Sequence, residues 1–222
     1  AVNQRALIHL LTVTAAVRYD DYTDVGDTTN VKYGVTYRPT PTVALRGSYG
    51  TSFRAPLITQ IYGNSSLFRT GGYQNPTGGP AVQVVTWSGP NLNLKPEEAT
   101  TWSVGLDWEP LANLTLGLTY FSVDYRNQVE SLQGQTGVLS READYADTGI
   151  ILRGAAAGAR VLELLAQGVP PPAGTWPGGS PGAVPVYIDT SNHNLSASVT
   201  EGLDFQAAWR LLTDNMGRFT FT

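Results

Sequence analysis

Between Thr101 and Tyr125 the chain reads as two strands joined by a tight turn, and this stretch limits what the rest can be. Trp102, Val104, Leu106 and Trp108 share one side of a period-2 strand, with Thr101, Ser103, Gly105, Asp107 and Glu109 on the other. After a turn over Pro110 to Asn113 the alternation resumes with Leu114, Leu116, Leu118 and Tyr120. A pleated strand sends successive side chains to opposite faces, so the stretch predicts a long antiparallel hairpin with one apolar and one polar face. At Tyr120-Phe121 the pattern slips, and Phe121, Val123 and Tyr125 carry the apolar character onward. Either a β-bulge or aromatics turned toward a covered interior accounts for the slip.

The same alternation recurs along the chain. From Leu11 to Tyr22, the residues Leu11, Val13, Ala15, Val17 and Tyr19 oppose Thr12, Thr14, Ala16, Arg18 and Asp20. Ala6 to Val17 also has the apolarity of a signal-peptide core, but His9 interrupts it and the alternation runs on to Asp20, so a strand accounts for the whole. Val31, Tyr33, Val35 and Tyr37 oppose Lys32, Gly34, Thr36 and Arg38 before a break at Pro39-Thr40-Pro41-Thr42. Val43, Leu45, Tyr49 and Phe53 then oppose Ala44, Arg46, Ser48, Ser52 and Arg54. Further on, Val199, Leu203, Phe205, Ala207, Trp209 and Leu211 form an apolar face. Glu201 falls on that face, which predicts a position near a strand end. After a turn at Thr213 to Gly217 a seventh strand opens with Phe219 and Phe221. Two long polar segments, Ala55 to Glu98 and Asn127 to Ser198, separate these strands. In the second, Ala155 to Gln167 predicts one short helix with an apolar stripe of Val161, Leu162, Leu164 and Leu165, capped by Gly168 and stopped by Pro170. Pro170 to Pro185 is rich in Pro and Gly and reads as loop.

Every second connection is tight and the others are long, so the tight turns share one end of the sheet. Strands of about ten residues with that asymmetry characterise transmembrane barrels. Only 14% of the 222 residues are charged, against about 25% in average proteins, so something other than charge covers the surface. The strands that enter tight turns end in an aromatic followed by a charge, as Tyr37-Arg38, Trp108-Glu109 and Trp209-Arg210. That predicts an interfacial girdle at one level, with Tyr19, Phe53, Trp102 and Tyr125 toward the other end. The polar face, with Arg18, Lys32, Arg38, Arg46, Arg54, Asp107, Asp204 and Arg210, would line a lumen. A soluble β-sandwich also alternates, although its strands usually run to about five or six residues. A secreted or surface sandwich with a binding or adhesive role is therefore the alternative. The fold expected is all-β: an antiparallel up-and-down transmembrane barrel segment of about seven strands with long extracellular loops and one short helix in a loop.

Ser52-Phe53-Arg54-Ala55-Pro56 at a strand top resembles the SFRAP signature of TonB-dependent outer-membrane receptors, and Asn91-Leu92-Asn93-Leu94-Lys95-Pro96-Glu97 is similar to their NxxLKPE motif. Ala15 to Tyr22 and Glu201 to Phe205 also resemble family strands. The resemblance implies a barrel of about 22 strands closed by a plug domain, energised by the TonB complex and taking up a scarce small-molecule ligand, siderophore-bound iron being the commonest class. It makes residues 1–222 an internal part of such a barrel domain, without plug or complete C-terminal strand. Outer-membrane lipid, the receptor's own plug and the TonB complex are the partners implied, and the cell outer membrane the location.

No cofactor, metal or catalytic residue is assigned. The chain has no Cys and only two His, His9 and His193, and no Gly-x-Ser-x-Gly elbow or phosphate loop. A net charge of −4 gives no reason to expect nucleic acid. Asp20, Asp21, Asp24 and Asp27 crowd one loop without the spacing of an EF-hand, so a solvated acidic loop is expected. Sequons begin at Asn64, Asn113 and Asn194 and carry no functional reading. The ligand-binding candidates are the lumen cations Arg46 and Arg54 and the loop residues Tyr62, Phe68, Arg69, Tyr73, Trp87, Trp176 and Tyr187. For the two arginines the other reading is solvation of the lumen or a salt bridge to the plug domain. For about half of the aromatics it is anchoring of the loops to one another.

Overall fold

A computed structural model describes residues 9–23, 26–63, 65–213 and 217–222. Residues 6–8, Asp24, Asn64 and the turn residues 214–216 lie outside the described set, so the acidic-loop and first-sequon readings are followed only in part. In chain order the strands are β1 (Leu10–Tyr22), β2 (Gly26–Thr40), β3 (Val43–Arg54), β4 (Leu67–Tyr73), β5 (Val82–Ser88), β6 (Glu97–Leu111), β7 (Leu114–Ser131), β8 (Ile151–Arg153), β9 (Val186–Asp189), β10 (Asn192–Thr213) and β11 (Gly217–Phe221). Helices α1 (Ile58–Tyr62) and α2 (Gly154–Ala166) complete the set, with 3₁₀ turns at Val138–Tyr145 and Pro181–Ala183. The chain divides into two compact units. One comprises residues 1–55, 96–128 and 196–222, the other residues 56–95 and 129–195.

The first unit is a seven-stranded antiparallel sheet in the order β1-β2-β3-β6-β7-β10-β11, with the hairpins expected from the alternation. Backbone pairing keeps the two faces in phase. Tyr33 pairs with Tyr49, Tyr49 with Trp102 and Trp102 with Ser122, while Ser48 pairs with Ser103 and Ser103 with Phe121. The apolar face is uncovered: Val13 is 70% exposed, Val104 56% and Leu106 39%. A sandwich sheet would bury these side chains. From Trp102 to Trp108 the strand rises about 20 Å at about 3.4 Å per residue. With the indole rings at either end, that approaches the band of about 25 Å that spans a bilayer. Tyr33 stacks on Tyr49 with ring centroids 6.4 Å apart, and Trp102 meets Tyr120 at 5.2 Å, at the upper margin. Trp209 meets Phe221 at 5.9 Å at the lower.

Three expectations for this sheet change. The slip at Tyr120-Phe121 is not a bulge, because pairing between β6 and β7 is continuous from Glu98 with Arg126 to Trp108 with Leu116 and shifts only at the turn. Phe121 points to the polar face instead, where its ring lies over Gly202 of β10; a Cβ added to Gly202 would come within 2.7 Å of it. Tyr125 shares that face, so it is not part of the girdle. Glu201 lies well inside β10 rather than at its end. The approaches of Gly202 to Phe121 and of Gly117 to Gln206 set a register that puts Glu201 beside Ser122, on the rung of Trp102, where the apolar band gives way to polar residues. The girdle is also stepped: Tyr37 pairs with Leu45 and Leu45 with Leu106, which places Tyr37 one rung short of Trp108. A level belt must cross tilted strands obliquely.

The second unit holds a four-stranded sheet, β4-β5-β9-β8, where the sequence reads as loop. Its central strands β5 and β9 pair in parallel, Val85 with Tyr187 and Thr86 with Ile188. Strands covered on both faces lose polar alternation, and Val84, Val85, Thr86 and Trp87 are all buried. On one face Phe68, Val85, Trp87 and Tyr187 pack against Ala157, Val161 and Leu164 of α2. On the other, Tyr73, Val84, Val186 and Ile188 pack against Leu132, Val138, Leu139 and Ile150.

Helix α2 lies where the sequence places it, but its inward stripe is Ala157, Gly158, Val161 and Leu164, and Leu162 is exposed. Gln167 is the C-cap. The next residue, Gly168, takes φ +91° and donates its N–H to Leu165 O at 3.0 Å, while Val169 N–H reaches Leu164 O at 3.1 Å. These two bonds form a Schellman motif, with Val169 and Leu164 in apolar contact. The Pro-rich stretch that follows is not free loop: Val184 is buried in the same core and Trp176 packs on it. Gly158 faces the backbone of Gly182 so closely that a Cβ there would overlap the carbonyl. In an open helix Gly→Ala stabilises by up to about 1 kcal/mol. At this position Gly158→Ala is expected instead to destabilise by about 1–3 kcal/mol, seen as faster amide exchange across α2 and residues 181–184; slower exchange there would remove the close-packing account.

Candidate functional site

The polar face of the seven-stranded sheet carries the charges that the sequence singles out, and three of them, Arg18, Arg46 and Arg54, each hold a carboxylate there. Arg46 of β3 lies beside Gly105 of β6 on one rung, and the glycine leaves room for its guanidinium. Its Nε is 2.7 Å from Asp107 Oδ2, and its Nη2 donates to Asp107 Oδ1 at 2.9 Å and to Thr119 Oγ1 at 3.3 Å. One rung pair higher, Ser48 and Ser103 share a hydrogen bond of 2.8 Å.

At the top of β3, Arg54 pairs with Glu97 as the last rung of β3 and β6. The guanidinium binds the carboxylate two-pronged, Nε to Oε2 at 2.6 Å and Nη2 to Oε1, and the hydroxyl of Tyr125 on β7 donates to Oε2. Glu97 is 3% exposed and Arg54 53%. The two stretches Ser52 to Pro56 and Asn91 to Glu97, far apart in sequence, are thus joined by their own charged residues. A carboxylate removed from water requires such donors, and a bidentate arginine is the strongest available. The sequence gives Arg54 as a site residue but passes over its partners Glu97 and Tyr125. The parity of Tyr125 with Thr101 along the hairpin was the signal that would have found it.

In the second unit the start of the same motif is held by amides. Asn91 Oδ1 accepts from Asn93 N–H at 2.9 Å, and Asn91 Nδ2 donates to Asn192 O at 2.8 Å. Asn194 grips Lys95 from both sides, accepting its N–H at 2.8 Å and donating to its carbonyl at 2.9 Å. Asn194 is therefore a structural amide.

Of the loop candidates, Phe68, Tyr73, Trp87 and Tyr187 are buried in the two cores of this unit, which assigns them to packing rather than to an open platform. Burial, together with the nearby Asp189, pushes the Tyr187 hydroxyl far above its ordinary pKa, and burial raises that of Tyr73. Trp176 is half-buried against Phe68, ring centroids 5.6 Å apart. Tyr62 on α1 and Arg69 on β4 are exposed and remain available to a ligand. His193 sits 3.2 Å from Asp189 and 3.1 Å from Ser191 Oγ, and no group of three or more metal-ligating side chains occurs among the described residues. Arg153 holds the Glu142 carboxyl below its ordinary range through hydrogen bonds of 2.6 to 3.0 Å.

An uncovered apolar face bounded by aromatic rings, backed by a polar face that carries ion pairs, is the wall of an outer-membrane β-barrel. The family profile described as TonB dependent receptor-like, beta-barrel matches residues 5–222, and the chain belongs to that family. Its place is the outer membrane. The ferric enterobactin receptor of Pseudomonas aeruginosa is 26% identical over 139 residues, 62% of this chain and 18% of the relative. The chain thus spans less than a fifth of that relative's length. Among solved structures, a variant of that receptor in complex with enterobactin aligns over 96% of this chain and 24% of its own, with TM-score 0.56 and 20% identity. The siderophore receptor PirA from Acinetobacter baumannii aligns over 95% of this chain and 24% of its own, with TM-score 0.55 and 17% identity. Family members are receptors and transporters rather than enzymes.

The exposure difference across the Arg54–Glu97 pair sets an order of effects. Arg54→Met strands the buried carboxylate with only Tyr125, and breaking a buried pair this way costs about 3–5 kcal/mol. Glu97→Gln leaves a half-exposed guanidinium that water can solvate, for about 1–3 kcal/mol. Thermal unfolding of the detergent-solubilised receptor should therefore shift more for Arg54→Met than for Glu97→Gln; the reverse order would mean that Glu97 is not the desolvated partner.

Proposed function

We propose that the chain forms part of the barrel domain of an outer-membrane receptor that takes up a scarce small molecule, iron bound to a siderophore as the class, with energy delivered through the TonB complex. The observation that carries this is the phase relation across seven strands: apolar side chains outward and exposed, Arg46 and Arg54 inward and paired. Family membership and the two siderophore receptors of like fold support it. In this reading lipid contacts the outward face, the receptor's own plug lies against the polar one, and the chain performs transport rather than chemistry. The exposed apolar face speaks against the secreted β-sandwich, which would have to cover it. Deleting the receptor gene should abolish growth on one ferric siderophore as sole iron source, and normal growth on a full panel would overturn the iron reading.

Cargo recognition in this reading involves exposed or half-buried side chains of the second unit and the lumen, with Tyr62, Arg69, Trp176 and Arg46 as candidates. Tyr62→Ala and Arg69→Ala should weaken cargo binding about tenfold together while leaving barrel assembly intact, as removal of exposed aromatic and cationic contacts does. Unchanged affinity in the double variant would move recognition elsewhere.

The lipid contact has its own test. Leu106→Arg should cost about 2–4 kcal/mol in a bilayer, the penalty for a cation near mid-membrane. Asp107 is unsuitable as the inward control because its carboxylate is tied to Arg46, whereas Thr101 is exposed on the same polar face. In intact receptor a bilayer-restricted probe should label Leu106→Cys, and a water-soluble maleimide should label Thr101→Cys. The opposite labelling pattern would reverse the two faces.

A further inference from the structure

The outward face of the large sheet has a gap in its apolar cover. Val35, Gly47 and Val104 stand side by side on β2, β3 and β6, and the middle position has no side chain. Neighbouring strands lie about 4.8 Å apart, so Val35 and Val104 flank a slot about 10 Å across from strand axis to strand axis. A groove of about 350 Å³ opens there, lined by Val13, Tyr33, Val35, Tyr49, Trp102 and Val104. Ser48 and Ser103 also border it, but their hydroxyls share a hydrogen bond on the opposite face. The aromatic rings of the upper margin part above the groove. Tyr49 and Trp102 share a rung, yet Tyr49 stacks on Tyr33 and Trp102 leans on Tyr120, and no ring contact joins the two pairs among the described residues. Two residues higher, Thr51 and Thr100 share a rung on the same outward face. Thr51 Oγ1 accepts from Val31 N–H at 3.1 Å, which leaves its own proton to donate.

A void in a wall that faces hydrocarbon forfeits the contacts its lining would make, and a chain of methylene groups restores them. Water gains nothing there, because the groove offers it no polar partners. With the two valine side chains in place, the slot is too narrow for a helix of about 10–12 Å diameter. We infer that the groove over Gly47 is a seat for one acyl chain of an ester-linked lipid in the leaflet nearest the loops. The chain enters between Tyr49 and Trp102, and the ester carbonyls above it accept from the hydroxyls of Thr51 and Thr100. The groove is continuous with the apolar band, and the inference rests on the reading of that band as the lipid contact. It adds a fixed site where the band alone implies lipid that exchanges freely. Inside a bilayer no hydrophobic difference draws a lipid to one part of the wall, so close packing is what retains it.

Photolabelling of the intact receptor in bilayers tests this, with a phosphatidylcholine that carries a diazirine on one acyl chain as probe and mass spectrometry to map the labelled residues. Simple contact with lipid would label in proportion to exposure, so Leu203 and Phe205, each 69% exposed, would exceed Val35 at 43%. A seated chain reverses that order. Val35 and Val104 should carry about tenfold more label than Leu203, the preference that roughly ten added carbon–carbon contacts give. In Gly47→Leu the new side chain fills the slot, its Cβ 3.2 Å from Val35 Cγ1, and the labelling should fall back to the order set by exposure. Should that variant fail to assemble, the order in the parent receptor decides alone. Labelling of the parent in proportion to exposure would overturn the seat and leave the lipid-facing band standing. Groove residues labelled less than Leu203, with crosslinks between receptors at Val35 or Val104, would also overturn it and assign the groove to a second copy. Absence of label from Leu203, Phe205 and the groove alike would remove the lipid reading of the whole face, and the seat with it.

Discussion

Everything in the larger unit follows from the phase of alternation being kept across neighbouring strands. A strand has two faces, and a slip of one residue exchanges them completely. Backbone pairing fixes Val43 opposite Trp108 and Leu45 opposite Leu106, so the apolar rows add up to a continuous band rather than a scatter of exposed side chains. Such a band has no stable place in water. In a bilayer it is the surface that the solvent requires, and the polar rows behind it must then satisfy one another. They do so by opposite charges on adjacent strands, Arg46 with Asp107 and Arg54 with Glu97.

The Arg54–Glu97 pair has a second consequence. The chain leaves the sheet after Ala55 and returns at Pro96, so the pair closes the neck of an insertion of some forty residues. Loop closure costs entropy that grows only slowly with length, but the strands on either side must still be kept from fraying. A desolvated carboxylate held by three donors, with Tyr125 adding the third strand, does this at one point. The motif residues before it serve the same end by other means, since Asn91 and the backbone of Lys95 are fixed by Asn192 and Asn194. Short polar side chains in this region mimic backbone partners where no ladder exists.

The larger sheet was legible in the sequence because each of its strands is half exposed to an apolar and half to a polar medium, which writes period 2 into the residues. The strands around Arg18 and Arg46 could be placed to within about a residue, whereas the one around Trp108 begins at Glu97 rather than at Thr101. The smaller sheet was not legible, for the converse reason. With α2 over one face and residues 132–150 over the other, Val84 and Val85 need the same chemistry, and the alternation disappears. Its aromatics then look like isolated loop residues, and nothing local separates Phe68, Trp87 and Tyr187, which are buried in its core, from exposed ones such as Tyr62. Pairing was equally hidden: that Arg54 belongs with Glu97 depends on β3 and β6 being neighbours across the insertion, which no local pattern states.

Glycine on the polar face completes the account of how charges of this size are accommodated. A Cβ on Gly105 would meet Thr119 Oγ1 at 3.0 Å and Arg46 Nη2 at 3.2 Å, so the guanidinium can lie flat along the wall only because that position has no side chain. Gly202 does the same for the ring of Phe121. Glycine weakens a strand by roughly 0.5–1 kcal/mol relative to alanine. Here the loss is offset by charge-assisted bonds and by apolar cover over bare backbone. Large inward groups and missing side chains on the next strand are therefore one device. It explains why Phe121 breaks the apolar pattern without breaking the register: the ring is not an outward residue displaced, but the inward cover that Gly202 requires.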